Sequence, residues 1–152
     1  MSLVKDYMMR TLNSVCENDS IEHVIKFMGK TEMAVLPVVD KENKFLGTIY
    51  SQNILKNIMP EQYGFLDSQR MLDRRNQAGE KLSEIKDRKV KEYMSNNIEP
   101  VKEKDKMDKI TSVMLDNQES YIFVVNDRGN LRGYISRADL LFYLLEVSRK
   151  EN

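Results

Sequence analysis

The chain holds one cysteine, one histidine, three prolines and no tryptophan among 152 residues, and its 24 basic side chains are matched by 24 acidic ones. A single cysteine, Cys16, excludes an intrachain disulfide framework and points to a reducing compartment. It falls in an expected strand, Ser14-Val15-Cys16, as a packed or half-exposed thiol and not a reactive one, and the lone His23 sits off the apolar stripe of its helix. There is no His-Glu-x-x-His pair, no cysteine pair and no Gly-x-x-x-x-Gly-Lys-Ser/Thr loop. No catalytic activity, metal site or obligatory cofactor is therefore expected. Balanced charge leaves no cluster of cations for nucleic acid or for an anionic membrane. No apolar run approaches the roughly 18 residues of a membrane-spanning helix and no signal peptide is visible, so a cytoplasmic location is expected.

What the chain does have is a copy of itself. Val4-Lys5-Asp6-Tyr7-Met8 returns as Val90-Lys91-Glu92-Tyr93-Met94, 86 positions on, and the offset holds without a gap for about fifty residues. Val15 meets Val101, Asp19 meets Asp105, Met28 meets Met114, Val38-Val39 meet Val124-Val125, Gly47 meets Gly133 and Leu55 meets Leu141. Neither half is long enough to bury a stable core alone, so the two are expected to pack as a pseudo-twofold pair.

Each copy reads as βαββα after a short leading helix. A strand from Asn13 to Cys16, or from Ile98 to Lys102, precedes a helix with Ile21, Val24, Ile25 and Met28, or Met107, Ile110 and Met114, at helical spacing, the first capped by Asp19 or Ser20. A hairpin follows: Ala34 to Val39 returns through Phe45 to Ile49, and Tyr121 to Val125 returns through Leu131 to Ile135, with Gly129 suited to positive φ. The fold class is therefore mixed α+β. The expected boundaries are 1–59 for the first repeat, 60–89 for a helical linker and 90–149 for the second. Tyr63, Phe65, Leu66, Met71, Leu72, Leu82 and Ile85 make that linker one or two amphipathic helices, interrupted near Gly79. The last helix, Leu140-Leu141-Phe142-Tyr143-Leu144-Leu145, is apolar on too many sides for one buried face, so the other repeat, the linker or a second subunit must cover it, and a homodimer in which terminal helices meet is the favoured reading.

The chemistry concentrates at Gly133-Tyr134-Ile135-Ser136-Arg137-Ala138-Asp139. A strand there turns directly into a helix, with Ser136 at the N-cap and Asp139 three residues on. Two roles fit: a capping box, and a site where free amides take an anion while the carboxylate accepts sugar hydroxyls. This motif, the duplicated Val-Lys-x-Tyr-Met segment and Leu36-Pro37-Val38-Val39-Asp40 together resemble a tandem pair of cystathionine-β-synthase (CBS) domains, a Bateman module.

That resemblance implies a regulatory module that binds AMP, ADP, ATP or S-adenosylmethionine between paired repeats and signals to an effector protein by conformational change. Carried onto this chain, Asp139 takes the ribose and Ser136 the first phosphate, with Arg137 and Arg132 as charge partners. The base lies against Asn97, Ile98, Pro100 and the strand Tyr121, Ile122, Phe123. The first copy departs from the pattern, with Tyr50 for serine and Asn53 for aspartate, so one competent site is expected and Ser51 is expected to cap the helix there. The alternative is a ligand-free dimeric scaffold of the same fold.

Overall fold

The computed structural model describes residues 2–10, 13–59 and 68–151, and Tyr63, Phe65 and Leu66 of the linker lie outside them. A 3₁₀ turn, Val4–Asp6, leads into β1 (Val15–Cys16), α1 (Ile21–Thr31), β2 (Val35–Val39), β3 (Phe45–Tyr50) and α2 (Ser51–Ile58). The linker helix α3 (Ser68–Ile85) comes next, then a second 3₁₀ turn, Val90–Glu92, and β4 (Val101–Lys102), α4 (Met107–Asn117), β5 (Tyr121–Val125), β6 (Leu131–Ser136) and α5 (Arg137–Glu151). Each repeat holds a three-stranded sheet, β1-β2-β3 or β4-β5-β6, with the outer strand parallel and the hairpin antiparallel. Only the last two residues of each expected first strand pair, because β1 and β4 meet β2 and β5 at two positions each.

The leading segments exchange places. Val4 N–H donates to Asp105 O (2.8 Å) and Lys5 N–H to Glu103 O (3.0 Å), while Val90 N–H donates to Asp19 O (2.9 Å) and Lys91 N–H to Glu17 O (3.1 Å). Val4 and Met8 therefore complete the core of the second repeat with Met107, Ile110, Ile122 and Ile135. Val90 completes that of the first with Ile21, Val24, Leu36 and Ile49. The exchange needs glycine at the signature strands. A Cβ on Gly133 would stand 2.0 Å from Met9 O, and one on Gly47 2.6 Å from Ser95 O, closer than any real contact.

The two sheets face each other through Val39, Phe123 and Leu131, flanked by Val35, Phe45, Tyr121 and Tyr134, with the Phe45 and Phe123 rings 5.8 Å apart. The hairpin tips close this face reciprocally: Phe45 N–H donates to Gly129 O and Leu131 N–H to Asn43 O, both at 3.0 Å. Asn43 (φ 65°) and Gly129 (φ 85°) occupy equivalent left-handed positions in the two turns.

Two expectations change. The linker helix is not interrupted: α3 runs through Gly79, where an added Cβ would meet nothing within 4 Å beyond the helix's own backbone. Glycine costs about 1 kcal/mol in a helix interior, and α3 is held to the first repeat by Ile85, which packs against its core, while Leu82 lines an open apolar groove with Ile25, Met28, Ile54, Leu55 and Ile58. Ser51 does not cap α2 but is its first residue; Tyr50 stands at the N-cap without a side-chain hydrogen bond to the helix.

Candidate ligand cleft

Strand β6 ends where α5 begins, and the turn is fixed by a reciprocal cap. Ser136 donates to Asp139 Oδ2 from both N–H (2.8 Å) and Oγ (3.0 Å), and Asp139 N–H returns a bond to Ser136 Oγ (3.3 Å). The cap uses one carboxylate oxygen. Oδ1 has no hydrogen-bond partner among the described residues, and Asp139 lines an open cleft of about 480 Å³ with Asp6, Tyr7, Phe142 and Glu146. Tyr7 donates to Glu146 Oε2, and this bond, with burial, raises the phenol above its ordinary range.

Beside the cleft lies a narrow slot between the repeats, lined by Asn13, Met33 and Pro37 of the first and by Phe123, Leu131, Gly133 and Tyr134 of the second. At about 10 Å³ it has room for one water at most. Tyr134, in the slot, has its phenol pushed up by burial first, then by Tyr121 and by the charge of Asp139.

The structure separates the residues expected to line this site. Tyr121 and Phe123 face the other repeat, with Tyr121 edge-on to Tyr134 at 5.4 Å. Ile122 does not join them, because strand alternation turns it into the helix-covered core, 1% exposed. Asn97, Ile98 and Pro100 are not on the β6 side either. Ser95 exchanges two 2.7 Å hydrogen bonds with Thr48 of β3, so the chain from 96 to 100 runs from the first repeat to β4, at the opposite edge of the second sheet from β6. The segment that does flank β6 is the equivalent one from the first copy, Met9 paired with Tyr134 (2.8 and 2.9 Å) and leading to Asn13.

Both arginines are engaged away from the Asp139 carboxylate. Arg137 lies over the end of α4, donating from Nε to Glu119 O (3.2 Å) and from Nη2 to Gln118 O (2.9 Å), where a cation complements the helix dipole. Arg132, the unpaired residue of the bulge in β6, meets Glu103 at 3.4 Å, and Arg10 meets the other oxygen of the same carboxylate at 3.4 Å. Among the described residues, then, the cleft is lined by three carboxylates and two rings, with no cation on its wall.

The equivalent place in the first repeat is built differently. Tyr50, at the position of Ser136, reaches across to the other repeat and donates to Glu119 Oε1 (3.2 Å). Burial, then the Glu119 charge, pushes its phenol up to about 12. Asn53, at the position of Asp139, is half-buried beside it in α2. Met33 holds the position corresponding to Glu119, and there it lines the slot by Tyr134. The sequence carried this information only through the repeat offset. Its use required knowing that the leading segments cross over, which hydrophobic spacing does not report.

Comparison with known proteins agrees with the duplication. The family model described as the CBS domain matches residues 4–60 and again 90–146. Uncharacterized protein MJ1426 of Methanocaldococcus jannaschii is 27% identical over 94% of this chain and 91% of its own length. Homoserine O-acetyltransferase of Methanococcus vannielii is 25% identical over 91% of this chain, which spans only 24% of that protein. Among solved structures, a CBS domain-containing protein from Bacillus anthracis superposes with a TM-score of 0.76 at 23% identity, covering 95% of this chain and 93% of the other. CBSX2, a protein of Arabidopsis thaliana, in complex with AMP superposes at 0.71 and 18% identity, covering 97% and 99%.

Proposed function

Because the chain belongs to the CBS domain family and carries two copies in tandem, we propose that it is a regulatory module that binds one adenine nucleotide at Asp139 and passes the event to an effector protein. The observation that carries this reading is the cap with an oxygen to spare. Ser136 holds the Asp139 carboxylate by Oδ2, and Oδ1 is left on an open cleft, at hand for ribose hydroxyls. The Ser136 hydroxyl, at the start of α5, takes the first phosphate. The base goes into the slot of Asn13, Met33, Pro37 and Tyr134, in place of Asn97, Ile98 and Pro100. AMP bound to the structural neighbour CBSX2 supports the ligand class.

The slot is too small for a purine as it stands, so the base enters only as the two sheets part. Binding and rearrangement of the repeats are then one event, which gives the ligand the differential affinity that any switch requires. The three carboxylates of the cleft set an order within the class, since each further phosphate adds like-charge repulsion: AMP binds best, ATP least, and magnesium narrows the gap.

The exposed apolar face of α5 favours a second reading, a dimeric scaffold that holds no ligand. Thermal denaturation with AMP, ADP, ATP with and without magnesium, and S-adenosylmethionine separates the two. Ligand at one hundred times its Kd adds about 2.7 kcal/mol, or roughly 5–10 °C for a chain of this length. The shift is expected for wild type and not for Asp139→Ala. No shift with any of the four leaves the scaffold.

A further inference from the structure

The two signature helices are joined by a run of direct contacts through residues 118 to 120. On one side, Arg137 follows Ser136 immediately and grips this turn with its backbone N–H to Ser120 O (3.3 Å) and its guanidinium to Glu119 O and Gln118 O. On the other, the Glu119 carboxylate accepts the Tyr50 hydroxyl at the head of α2. Gln118 sits in the left-handed conformation (φ 54°) at the end of α4, so the guanidinium closes a turn whose last carbonyls the helix itself leaves open. The arrangement is one-sided. At the equivalent point of the first repeat, Ser51 makes the backbone bond to Ala34 O (2.9 Å), but a serine side chain cannot fork over two carbonyls.

We propose that Arg137 is a latch between the two clefts: an anion at the Ser136–Asp139 helix start draws the guanidinium off Gln118 and Glu119, and the freed turn carries Glu119 away from Tyr50. The latch rests on the reading of Ser136 and Asp139 as the ligand site. A charged phosphate is a stronger partner for a guanidinium than two neutral carbonyls, and Arg137 is the cation next in sequence to the serine that receives it. The Tyr50 phenol at the head of α2 therefore stays tied to Glu119 until a phosphate-bearing ligand arrives at the Ser136–Asp139 helix start. A nucleoside without phosphate binds at Asp139 and leaves the latch closed.

The test is the ring-carbon resonance of Tyr50 in chain labelled with ¹³Cζ-tyrosine, assigned by Tyr50→Phe, with the other tyrosines as the internal control for folding. Without any ligand, Arg137→Gln moves the Tyr50 signal at least half of the way to its place in Glu119→Ala, and Arg137→Lys, which loses the fork, moves it in the same direction. A stationary signal in both arginine variants overturns the latch. Saturating AMP moves the wild-type signal the same way and adenosine does not. AMP that stabilises wild type but not Asp139→Ala while leaving Tyr50 in place also overturns it. AMP that stabilises both chains equally overturns the ligand site instead, an outcome the ligand-free comparison distinguishes.

Discussion

Tyr50 decides how the two clefts differ. A serine at that position, as at Ser136, caps its own helix with the aspartate three residues on, whereas the tyrosine reaches the other repeat and is tied to Glu119 there. The folded chain keeps this phenol protonated up to about 12, and an unfolded chain releases the proton near the ordinary 10.0. As pH rises between these values only the unfolded state loses the proton, so stability falls. Tyr7 and Tyr134, also raised, add the same sign. Urea midpoints between pH of about 9 and about 11.5 should fall more steeply for wild type than for Tyr50→Phe. Parallel curves would show that the phenol is not held by burial and Glu119. At this scale the sequence was informative where the chemistry is local. Ser136 and Asp139 lie three residues apart, and their cap follows from spacing alone. Asn13 and Met33 reach the slot only through the packing of one repeat on the other, whereas the expected Asn97 belongs to the segment that leads into β4.

Among the elements, the short leading helices matter most for their size. Val4 and Val90 are fully buried, each in the core of the repeat it does not begin. Val4→Ala should cost about 2 kcal/mol, felt first as faster amide exchange in β5 and β6, while Val90→Ala does the same to β2 and β3. Hydrogen exchange read by mass spectrometry checks it. Acceleration of each variant's own repeat alone would contradict the crossed cores. Helix and strand positions were legible from periodicity, because Ile21, Val24 and Met28 or Met107, Ile110 and Met114 admit one buried face. Periodicity says that a face is buried and is silent about what buries it. The expected break near Gly79 is absent for a related reason: glycine weakens a helix without ending it, and the packing of Ile85 against the first repeat is not legible from spacing within the linker.

For the molecule as a whole, the apolar surface left over is the guide. Leu140 and Tyr143 are buried, but Leu141 (66% exposed), Phe142 (52%), Leu144 (41%) and Leu145 (51%) project from the rest of α5. The expected homodimer would use this face toward the roughly 1,200–2,000 Å² that a stable interface buries. Sedimentation should give a dimer for wild type and a monomer for the double variant Leu141→Glu, Leu145→Glu, whose intrachain core is untouched. A monomer in both would leave the face to the effector protein.

One acid, Asp139, distinguishes the second signature from the first, and calorimetric titration of the full chain with AMP tests its role most directly. One AMP is expected per chain, with affinity falling at least tenfold in Asp139→Ala and changing little in Asn53→Ala. Two AMP per chain, or binding indifferent to Asp139, would contradict it.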